Sequence, residues 1–244
     1  LGNILSRVSK TDYRKVVLIC NYGRGYLCNP KYIAEAVQRL FPGELDLVLL
    51  VQSRHEGMPD YIRQVRYRGL VALRELASAR VWIDNCRGPK YLPKRDDQVY
   101  IQTWHAYVGP KRIEKDAAPS LGGYIVNAVE DARATDLMFA NNDLYESLYR
   151  HSFWYDGPVI RSGVPRNRPL LRRGRDCVER VRQTLGVPEG AKVCLYAPTF
   201  RKDFSIDGYK FDYDACLAAL ESRFGGTFVL AYKLHPNLAQ LGRP

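Results

Sequence analysis

The sequence predicts an α/β fold in which parallel β-sheets are covered by helices on both faces. Short strand segments rich in β-branched residues alternate with amphipathic helical segments through most of the 244 residues, as in parallel sheets with crossover helices. A stretch rich in arginine, proline and glycine interrupts this alternation at residues 164–174, and a second α/β unit follows it. We therefore expect an N-terminal domain at 1–163, a hinge at 164–174 and the start of an incomplete C-terminal domain at 175–244.

Strand candidates in the N-terminal part are short runs of aliphatic and aromatic residues, and the helix candidates between them carry apolar residues on one face. Asn29 is predicted to cap the helix that Pro30 opens, and Asn141 or Asn142 to cap the helix that runs through Phe153. The strands are predicted at residues 15–20, 45–51, 63–67, 81–84, 99–103, 137–140 and 159–161, and the helices at 30–40, 70–79, within 124–133 and up to 153.

The C-terminal part repeats the alternation with fewer elements. The triplet Asp212-Tyr213-Asp214 has the form of a metal-binding DxD motif, but Asp212 directly precedes a helix, so we interpret it as an ordinary N-cap. The six cysteines form no CxxC or Cys/His zinc spacing, and we interpret them as buried, reduced thiols. Helices are predicted at 176–185 and 213–224, and strands at 193–196 and 227–234.

The net charge of +11 favours a polyanionic partner such as a phosphorylated substrate, an anionic lipid surface or nucleic acid. Nucleic acid is disfavoured, because no helix-turn-helix, zinc finger or ribonucleoprotein motif is present and aromatic residues are not interleaved with the basic run. No apolar segment is long enough to cross a membrane. Phosphate or lipid contact is expected at a cluster of arginines around the hinge, which are Arg161, Arg166, Arg168, Arg172, Arg173 and Arg175.

Two histidines follow strands, and the carboxyl ends of strands are where α/β proteins place reactive groups. His105 follows the strand that begins at Val99, and His235 ends the second half in the same way. A histidine can move a proton near neutral pH, although an isolated one is more often a core residue bonded to a backbone carbonyl. His55 lies in a polar turn and His151 late on a helix, and we interpret both as structural.

The C-terminal part of the chain, which contains His235, also contains a hydroxyl and two cations that could bind phosphate. Thr199 and the backbone amides around it directly follow a strand and can bind phosphate, and Arg201 can hold phosphate with two hydrogen bonds. Lys233 adds charge two residues before His235. These residues predict a phosphate-binding site, with scattered surface charge as the alternative.

Six segments, in order across nearly the whole chain, resemble the CDP-glycerol glycerophosphotransferases, which are the teichoic-acid primases and polymerases of Gram-positive bacteria. Tyr100–His105 matches the family's YLQTWHGTP, and Leu195–Arg201 matches its LYAPTWR. Each segment alone is a weak signal, but their common order makes the resemblance specific. The other four are Asn29–Ile33 (Asn-Pro-x-Tyr-Ile), Ala77–Asn85 (ASAxxWIxN), Ala140–Asn142 (Ser-Pro-Asn or Ser-Asn-Asn) and Gly163–Asn167 (GYPRND).

The resemblance implies a GT-B fold of two Rossmann-like domains, with the acceptor on the N-terminal side and the nucleotide donor on the C-terminal side. It implies that an acceptor hydroxyl attacks the β-phosphorus of CDP-glycerol, or of a similar CDP-polyol, and that CMP leaves. The acceptor would be a polyprenyl-linked primer or polymer, and the enzyme would lie peripherally on the anionic cytoplasmic face of the cell membrane. No cofactor and no nucleic-acid partner are implied.

The resemblance also gives roles to individual residues. His105 would deprotonate the acceptor hydroxyl, and His235 and Arg201 would stabilise charge on the pyrophosphate. No metal ligand is implied. The remaining candidates for substrate or phosphate binding are Thr199, Lys233, Asn141, Asn142 and Arg166.

The sequence departs from the family pattern in three places. The family's His-Gly-Thr-Pro is replaced by residues 105–108, in which Tyr107 is larger than threonine and is expected to alter the acceptor pocket. Arg168 replaces the acid that follows Pro-Arg-Asn, and the later Asp-Tyr-Ser-Ser phosphate motif is absent from the 244 residues. Two alternatives therefore stay open: a GT-B transferase that uses a nucleotide-sugar or CDP-ribitol, and a non-catalytic module that binds acceptor or membrane.

Overall fold

The computed structural model describes residues 2–88, 92–107, 112–120, 122–172, 175–198 and 210–233. The chain divides into two compact units, Leu1–Arg172 and Arg173–Pro244. This division lies inside the stretch at 164–174 that the sequence predicts as a hinge. Each unit has a parallel sheet of its own.

The first unit is built on the strands β1 (Asp12–Ile19), β2 (Asp46–Val51), β3 (Ile62–Arg66), β4 (Ala79–Asp84), β5 (Val99–Gln102), β6 (Leu137–Ala140) and β7 (Val159–Arg161). Their order in the sheet is β3-β2-β1-β4-β5-β6-β7, and all neighbouring pairs are parallel. The chain thus moves outward from β1 to β3, returns to the middle at β4 and moves outward on the other side. The carboxyl ends of β1 and β4 meet at this reversal, where open α/β sheets bind ligands.

The described helices of this unit are α1 (Gly2–Val8), α2 (Cys28–Leu40), α3 (Leu70–Ser78), α4 (Tyr124–Ala134), α5 (Asp143–Ser152) and α6 (Arg168–Arg172), with 3₁₀ turns at Asn21–Gly23, Glu114–Ser120 and Pro165–Asn167. Successive residues of β1 point to opposite faces of the sheet. Val17 packs in one core cluster with Leu76 of α3, whereas Val16 packs in another with Ala34 of α2. The central strands are therefore buried on both faces, which accounts for their continuous apolar runs.

The predicted elements of this unit are confirmed with shifts of a few residues at their ends, and α1 is an additional helix. The predicted role of Asn29 is wrong. The helix begins two residues earlier than predicted, at Cys28, and Leu27 occupies the N-cap position without a side-chain hydrogen bond. Asn29 is instead completely buried within the first turn of α2. Asn142 does cap α5, because its Oδ1 accepts a hydrogen bond from the backbone N–H of Tyr145 at 2.9 Å.

The second unit contains the parallel strands β8 (Lys192–Tyr196) and β9 (Phe228–Tyr232) and the helices α7 (Arg175–Leu185) and α8 (Tyr213–Phe224). Asp212 caps α8, since its Oδ1 accepts a hydrogen bond from the N–H of Ala215 at 2.8 Å. The N-cap interpretation of the DxD triplet is thereby confirmed. Within the described residues no helix combines the length and apolar character needed to cross a membrane.

All six cysteines are free, as the sequence analysis expects, but they are not uniformly buried. Cys20 and Cys86 lie in the interior, whereas Cys177 is exposed on α7 and the other three are partly exposed. The apolar spacing around a cysteine therefore does not by itself place the thiol in a core.

Candidate functional site

A hydrogen-bonded group of residues lies at the carboxyl ends of three adjacent strands, β1, β4 and β5. Asn21 follows β1, Asn85 follows β4 and His105 follows β5. The two asparagines hold each other: the backbone N–H of Asn21 donates to Asn85 Oδ1, and Asn85 Nδ2 donates to Asn21 Oδ1, both at 2.8 Å. This pair joins the two strands across the topological reversal and fixes the peptide group of Asn85 beside His105.

The imidazole of His105 is fixed in one tautomer by a backbone carbonyl. Its Nδ1 lies 2.7 Å from the carbonyl oxygen of Asn85. Because a carbonyl oxygen only accepts hydrogen bonds, Nδ1 carries the proton and Nε2 presents a lone pair. Among the residues that the structure describes, none forms a hydrogen bond with Nε2.

The surroundings of His105 favour the neutral ring. Burial lowers the pKa of His105 below its ordinary value of 6.5, the hydrogen bond to Asn85 opposes this shift, and the nearby positive charge of Arg166 lowers the pKa further. The imidazole is therefore uncharged at neutral pH, with its basic nitrogen available for a proton. The sequence leaves open a purely structural histidine that is bonded to a backbone carbonyl. His105 does have such a bond, and the bond leaves Nε2 in the form that a general base requires.

Trp104, directly before His105, adopts a backbone conformation that a bulky residue rarely takes, with φ at 54°. Such a conformation costs roughly 1–3 kcal/mol and persists only when its surroundings enforce it. Gln102 contributes to this: its Oε1 accepts from the Trp104 N–H at 2.9 Å, and its Nε2 donates to the Cys86 carbonyl at 2.6 Å. The indole ring also lies against the ring of Phe153, with centroids 4.8 Å apart. These contacts aim the chain so that His105 faces Asn85.

Asn29 and Arg166 clamp the same segment from α2 and from the 3₁₀ turn at Pro165–Asn167. Asn29 Nδ2 donates to the carbonyl of Trp104 at 3.0 Å, and Asn29 Oδ1 accepts from the backbone N–H of Arg166 at 3.2 Å. Arg166 Nη1 donates to the carbonyl of His105 at 2.7 Å. Among the described residues, Nε and Nη2 of the exposed Arg166 form no hydrogen bond, so this guanidinium keeps donors for an anion.

Tyr107, the residue that departs from the family pattern, is buried and helps to brace the site. Its hydroxyl donates to the carbonyl of Thr103 and accepts from Asn29 Nδ2 at 2.9 Å. Its ring lies against Tyr145, with centroids 5.6 Å apart. In this chain the larger side chain thus contributes a hydrogen bond to the clamp, and its expected effect on an acceptor pocket stays a prediction.

Arg87 is a further site residue, which the sequence alone does not single out. Its side chain is only 4 % exposed and lies over the rings of Trp104 and Phe153, at 5.6 and 5.2 Å. Nη2 donates to Glu114 at 2.6 Å and Nη1 to Asp131 at 3.0 Å. The arginine thus sits between two buried carboxylates and the indole that precedes His105, where its charge is compensated and its position fixed.

The structure distributes the other predicted site residues as follows. Asn141 is exposed beyond the end of β6, and Asn142 caps α5. Lys233 is exposed and its backbone N–H donates to the Tyr196 carbonyl at 2.9 Å, extending the pairing of β8 and β9. Within the described ranges no three His, Cys, Asp or Glu side chains cluster in a way that could hold a metal ion. Three predicted residues lie outside the described part of the chain: Thr199, Arg201 and His235.

Comparison with known proteins places this arrangement in a family. The family model described as CDP-Glycerol:Poly(glycerophosphate) glycerophosphotransferase matches residues 3–243. The teichoic acid poly(glycerol phosphate) polymerase of Bacillus subtilis (strain 168) is 28% identical over 243 residues, which cover 93% of this chain and 32% of the relative. The teichoic acid glycerol-phosphate transferase of Staphylococcus aureus (strain NCTC 8325 / PS 47) is 24% identical over 230 residues, covering 88% of this chain and 58% of the relative.

Solved structures of the wall teichoic acid polymerase TagF show the same fold. A histidine-to-asparagine variant of TagF superposes with a TM-score of 0.83 and 25% identity, over 99% of this chain and 62% of that chain. The same variant soaked with CDPG gives a TM-score of 0.82. These likenesses confirm the predicted GT-B-like α/β fold. The chain spans less than two thirds of the length of these relatives.

Proposed function

Because this chain belongs to the CDP-glycerol:poly(glycerophosphate) glycerophosphotransferase family, we propose that it transfers glycerol phosphate from CDP-glycerol to an acceptor hydroxyl in teichoic-acid synthesis and releases CMP. The observation that carries this proposal is the tautomer of His105, whose Nδ1 is held by the Asn85 carbonyl at 2.7 Å. A hydroxyl becomes a competent nucleophile only when its proton has an acceptor, and Nε2 of a neutral imidazole is such an acceptor.

In the proposed reaction the acceptor oxygen attacks the β-phosphorus of CDP-glycerol. A new bond forms between this oxygen and phosphorus, the bond between phosphorus and the CMP oxygen breaks, and its electron pair leaves with CMP. His105 Nε2 takes the hydroxyl proton, while Nδ1–H remains bonded to Asn85 and stabilises the imidazolium that forms. The protein supplies no covalent nucleophile, so positioning and charge stabilisation are its main contributions.

Cations are needed where charge develops on the two phosphates. Arg166 has free N–H donors within the described residues and already touches the backbone of His105, which supports a role in holding phosphate near the base. By resemblance, Thr199, Arg201, Lys233 and His235 belong to the donor side. No cofactor and no metal enter this scheme.

The donor is tested by a panel assayed with the full-length protein. We expect CMP release from CDP-glycerol in the presence of a glycerol-phosphate primer, little release from CDP-ribitol, and no turnover of UDP- or GDP-sugars. Phosphodiester formation is followed by mass spectrometry of the primer and CMP by chromatography. Turnover of a nucleotide-sugar without turnover of CDP-glycerol would support the glycosyltransferase alternative, and binding of primer without any turnover would support a non-catalytic module.

We further propose that the acceptor is linked to a polyprenyl lipid and that the protein lies on the anionic cytoplasmic face of the membrane. Two leucines of α6 support this: Leu170 is 73% and Leu171 86% exposed, and arginines precede and follow them at Arg168 and Arg172. Exposed leucine beside arginine favours the boundary between acyl chains and anionic headgroups.

Vesicle sedimentation tests the membrane proposal. We expect binding to vesicles that contain phosphatidylglycerol, and several-fold weaker binding of the Leu170→Ser/Leu171→Ser variant. The matched control is Ile4→Ser/Val8→Ser, which removes two exposed aliphatic side chains, 62% and 68% exposed, from α1. Equal binding of wild-type protein to neutral vesicles contradicts an anionic surface as the partner. Equal loss of binding in both variants contradicts a specific contact through α6.

A further inference from the structure

Four exposed arginines lie at the carboxyl edge of the sheet, on the side of the reversal away from β5. Arg24 follows β1 and Arg54 follows β2. Arg66 is the last residue of β3, and Arg68 lies just after it. Within the described part of the chain none of them forms an ion pair, whereas other basic residues, such as Arg63 with Asp46 and Glu75, are paired. We call these four residues the arginine ledge.

Backbone hydrogen bonds make the ledge continuous with the end of β1. The backbone N–H of Gln52, after β2, donates to the Gly23 carbonyl at 2.7 Å, and the N–H of Tyr67, after β3, donates to the Val51 carbonyl at 2.7 Å. Gly23 has φ at 83°, and a Cβ there would lie 2.8 Å from the Tyr67 Cβ, so the close approach of the two segments requires glycine. The turn that contains Gly23 begins at Asn21, which holds Asn85 and, through it, His105.

A preformed groove lies at the outer part of the ledge. It has a volume of about 430 Å³ and is lined by residues 51–54 and 62–66, including Arg54 and Arg66. Its wall is fixed by a reciprocal pair of hydrogen bonds, from His55 N–H to Gln64 Oε1 and from Gln64 Nε2 to the His55 carbonyl, both at 2.9 Å. The aliphatic residues of the lining are buried, and its exposed residues are arginine, glutamine and serine.

Acidic residues concentrate at the opposite edge of the sheet, where the strands begin. Among the described residues that follow β1, β2 and β3 on the carboxyl side, the exposed acid is Glu56, in the loop that contains Arg54. Several of the acids at the strand starts are paired with basic residues, as Asp46 is with Arg63 and Asp136 with Lys94, whereas the four arginines of the ledge have no acidic partner among the described residues. A surface with such unpaired positive charge attracts an anion. The acids at or just before strand starts are Asp12, Glu44, Asp46, Asp60, Asp96, Asp97, Asp136 and Asp156.

We propose that the arginine ledge binds successive phosphates of a linear phosphodiester chain that extends away from His105, so that the acceptor polymer lies across β1, β2 and β3. This inference rests on the proposed function, because it assigns the ledge to the acceptor of that reaction. From β5 to β3 there are four strand spacings, roughly 19 Å. A single phosphate near His105 does not reach Arg66, whereas a chain of several units does. Affinity is therefore expected to rise with chain length.

The test measures binding of fluorescent glycerol-phosphate oligomers of increasing length to the full-length protein, by anisotropy and without nucleotide donor. We expect Arg54→Gln/Arg66→Gln to weaken binding of the long oligomers on the order of tenfold per arginine and to reduce the dependence of log affinity on log salt by about 1 per arginine. The matched control, Arg39→Gln/Arg74→Gln, removes the same charge from exposed arginines on α2 and α3 and is expected to bind like wild type.

Three outcomes overturn the inference: affinity that does not depend on oligomer length, equal loss in both double variants, and stronger binding of length-matched single-stranded DNA or phosphatidylglycerol vesicles than of the oligomer. Because no donor is present, binding is measured independently of turnover. Failure of CMP release with intact length-dependent binding would count against the proposed reaction alone, and active turnover with length-independent binding would count against the ledge alone.

Discussion

Replacing His105 with asparagine is expected to lower kcat for glycerol-phosphate transfer by a factor of about 10²–10⁴, the usual contribution of a positioned general base. Asparagine can keep an N–H donor near the position of Nδ1, and with it the contact to the Asn85 carbonyl, but it has no basic nitrogen at the position of Nε2. The change therefore removes the proton acceptor while retaining the hydrogen bond that orients the segment. Initial-rate measurements of CMP release at saturating donor provide the comparison.

The pH profile gives a second signature of the same residue. Since the neutral imidazole is the active form and burial lowers its pKa below 6.5, kcat/KM is expected to be constant at neutral pH and to fall only as the pH drops below 6.5. Residual activity of His105→Asn is expected to lack this acidic limb. The control is His151→Asn, because His151 is 71% exposed on α5 and its Nε2 lies 3.4 Å from Asp116, which is not a residue of the site. Full activity of His105→Asn, or an unchanged acidic limb, would rule out the assigned base.

The sequence predicts where this site lies better than it predicts the contacts that orient His105. A histidine after a β-strand can be found from the strand pattern, and the position of Asn85 after β4 is visible in the same way. The decisive contact, however, uses the backbone carbonyl of Asn85, and a carbonyl is present at every position, so no residue type signals it. Only the register of β4 against β5, which places Asp84 beside Gln102, brings that carbonyl to the imidazole.

Asn29 shows how a correct local rule gives a wrong role. An asparagine before proline at a helix start has the features of an N-cap, but the helix begins at Cys28, so that Asn29 lies inside its first turn. The side chain is buried instead, because the carbonyl of Trp104 and the hydroxyl oxygen of Tyr107 need donors, and an amide inside the first helical turn can reach them. These partners lie more than 70 residues away in the sequence, so a local pattern contains no information about them.

The sequence does not identify Arg87 as a site residue for the same reason: its partners are distant along the chain. Its neighbours along the chain are basic and proline-rich, which indicates a solvated loop. Its compensating carboxylates come from the turn that begins at Glu114 and from Asp131 on α4, 27 and 44 residues away. The fold brings one cation and two anions together next to Trp104. Each charge can be buried because the opposite charges beside it offset its loss of hydration.

Replacing Arg87 with methionine is therefore expected to lower the free energy of unfolding by about 3–5 kcal/mol, the usual cost of removing one partner from a buried ion pair. Methionine fills part of the space but leaves Glu114 and Asp131 buried without their counterion. Denaturant unfolding followed by circular dichroism measures the loss. The matched control is Arg63→Met: Arg63 also contacts two carboxylates but is 44% exposed, and solvent limits the expected loss to about 1 kcal/mol or less.

A triple variant separates charge from packing at Arg87. In Arg87→Met/Glu114→Gln/Asp131→Asn the uncompensated charges are gone, while the amide oxygens still accept the hydrogen bonds from Tyr124 and from the Gly88 N–H. We expect this variant to recover at least half of the stability lost in Arg87→Met, because the penalty arises mainly from buried charge. If the triple variant is no more stable than the single one, the loss arises instead from the missing guanidinium contacts with Trp104 and Phe153. Loss of the same size in Arg63→Met would contradict the distinction between buried and exposed pairs on which the prediction depends.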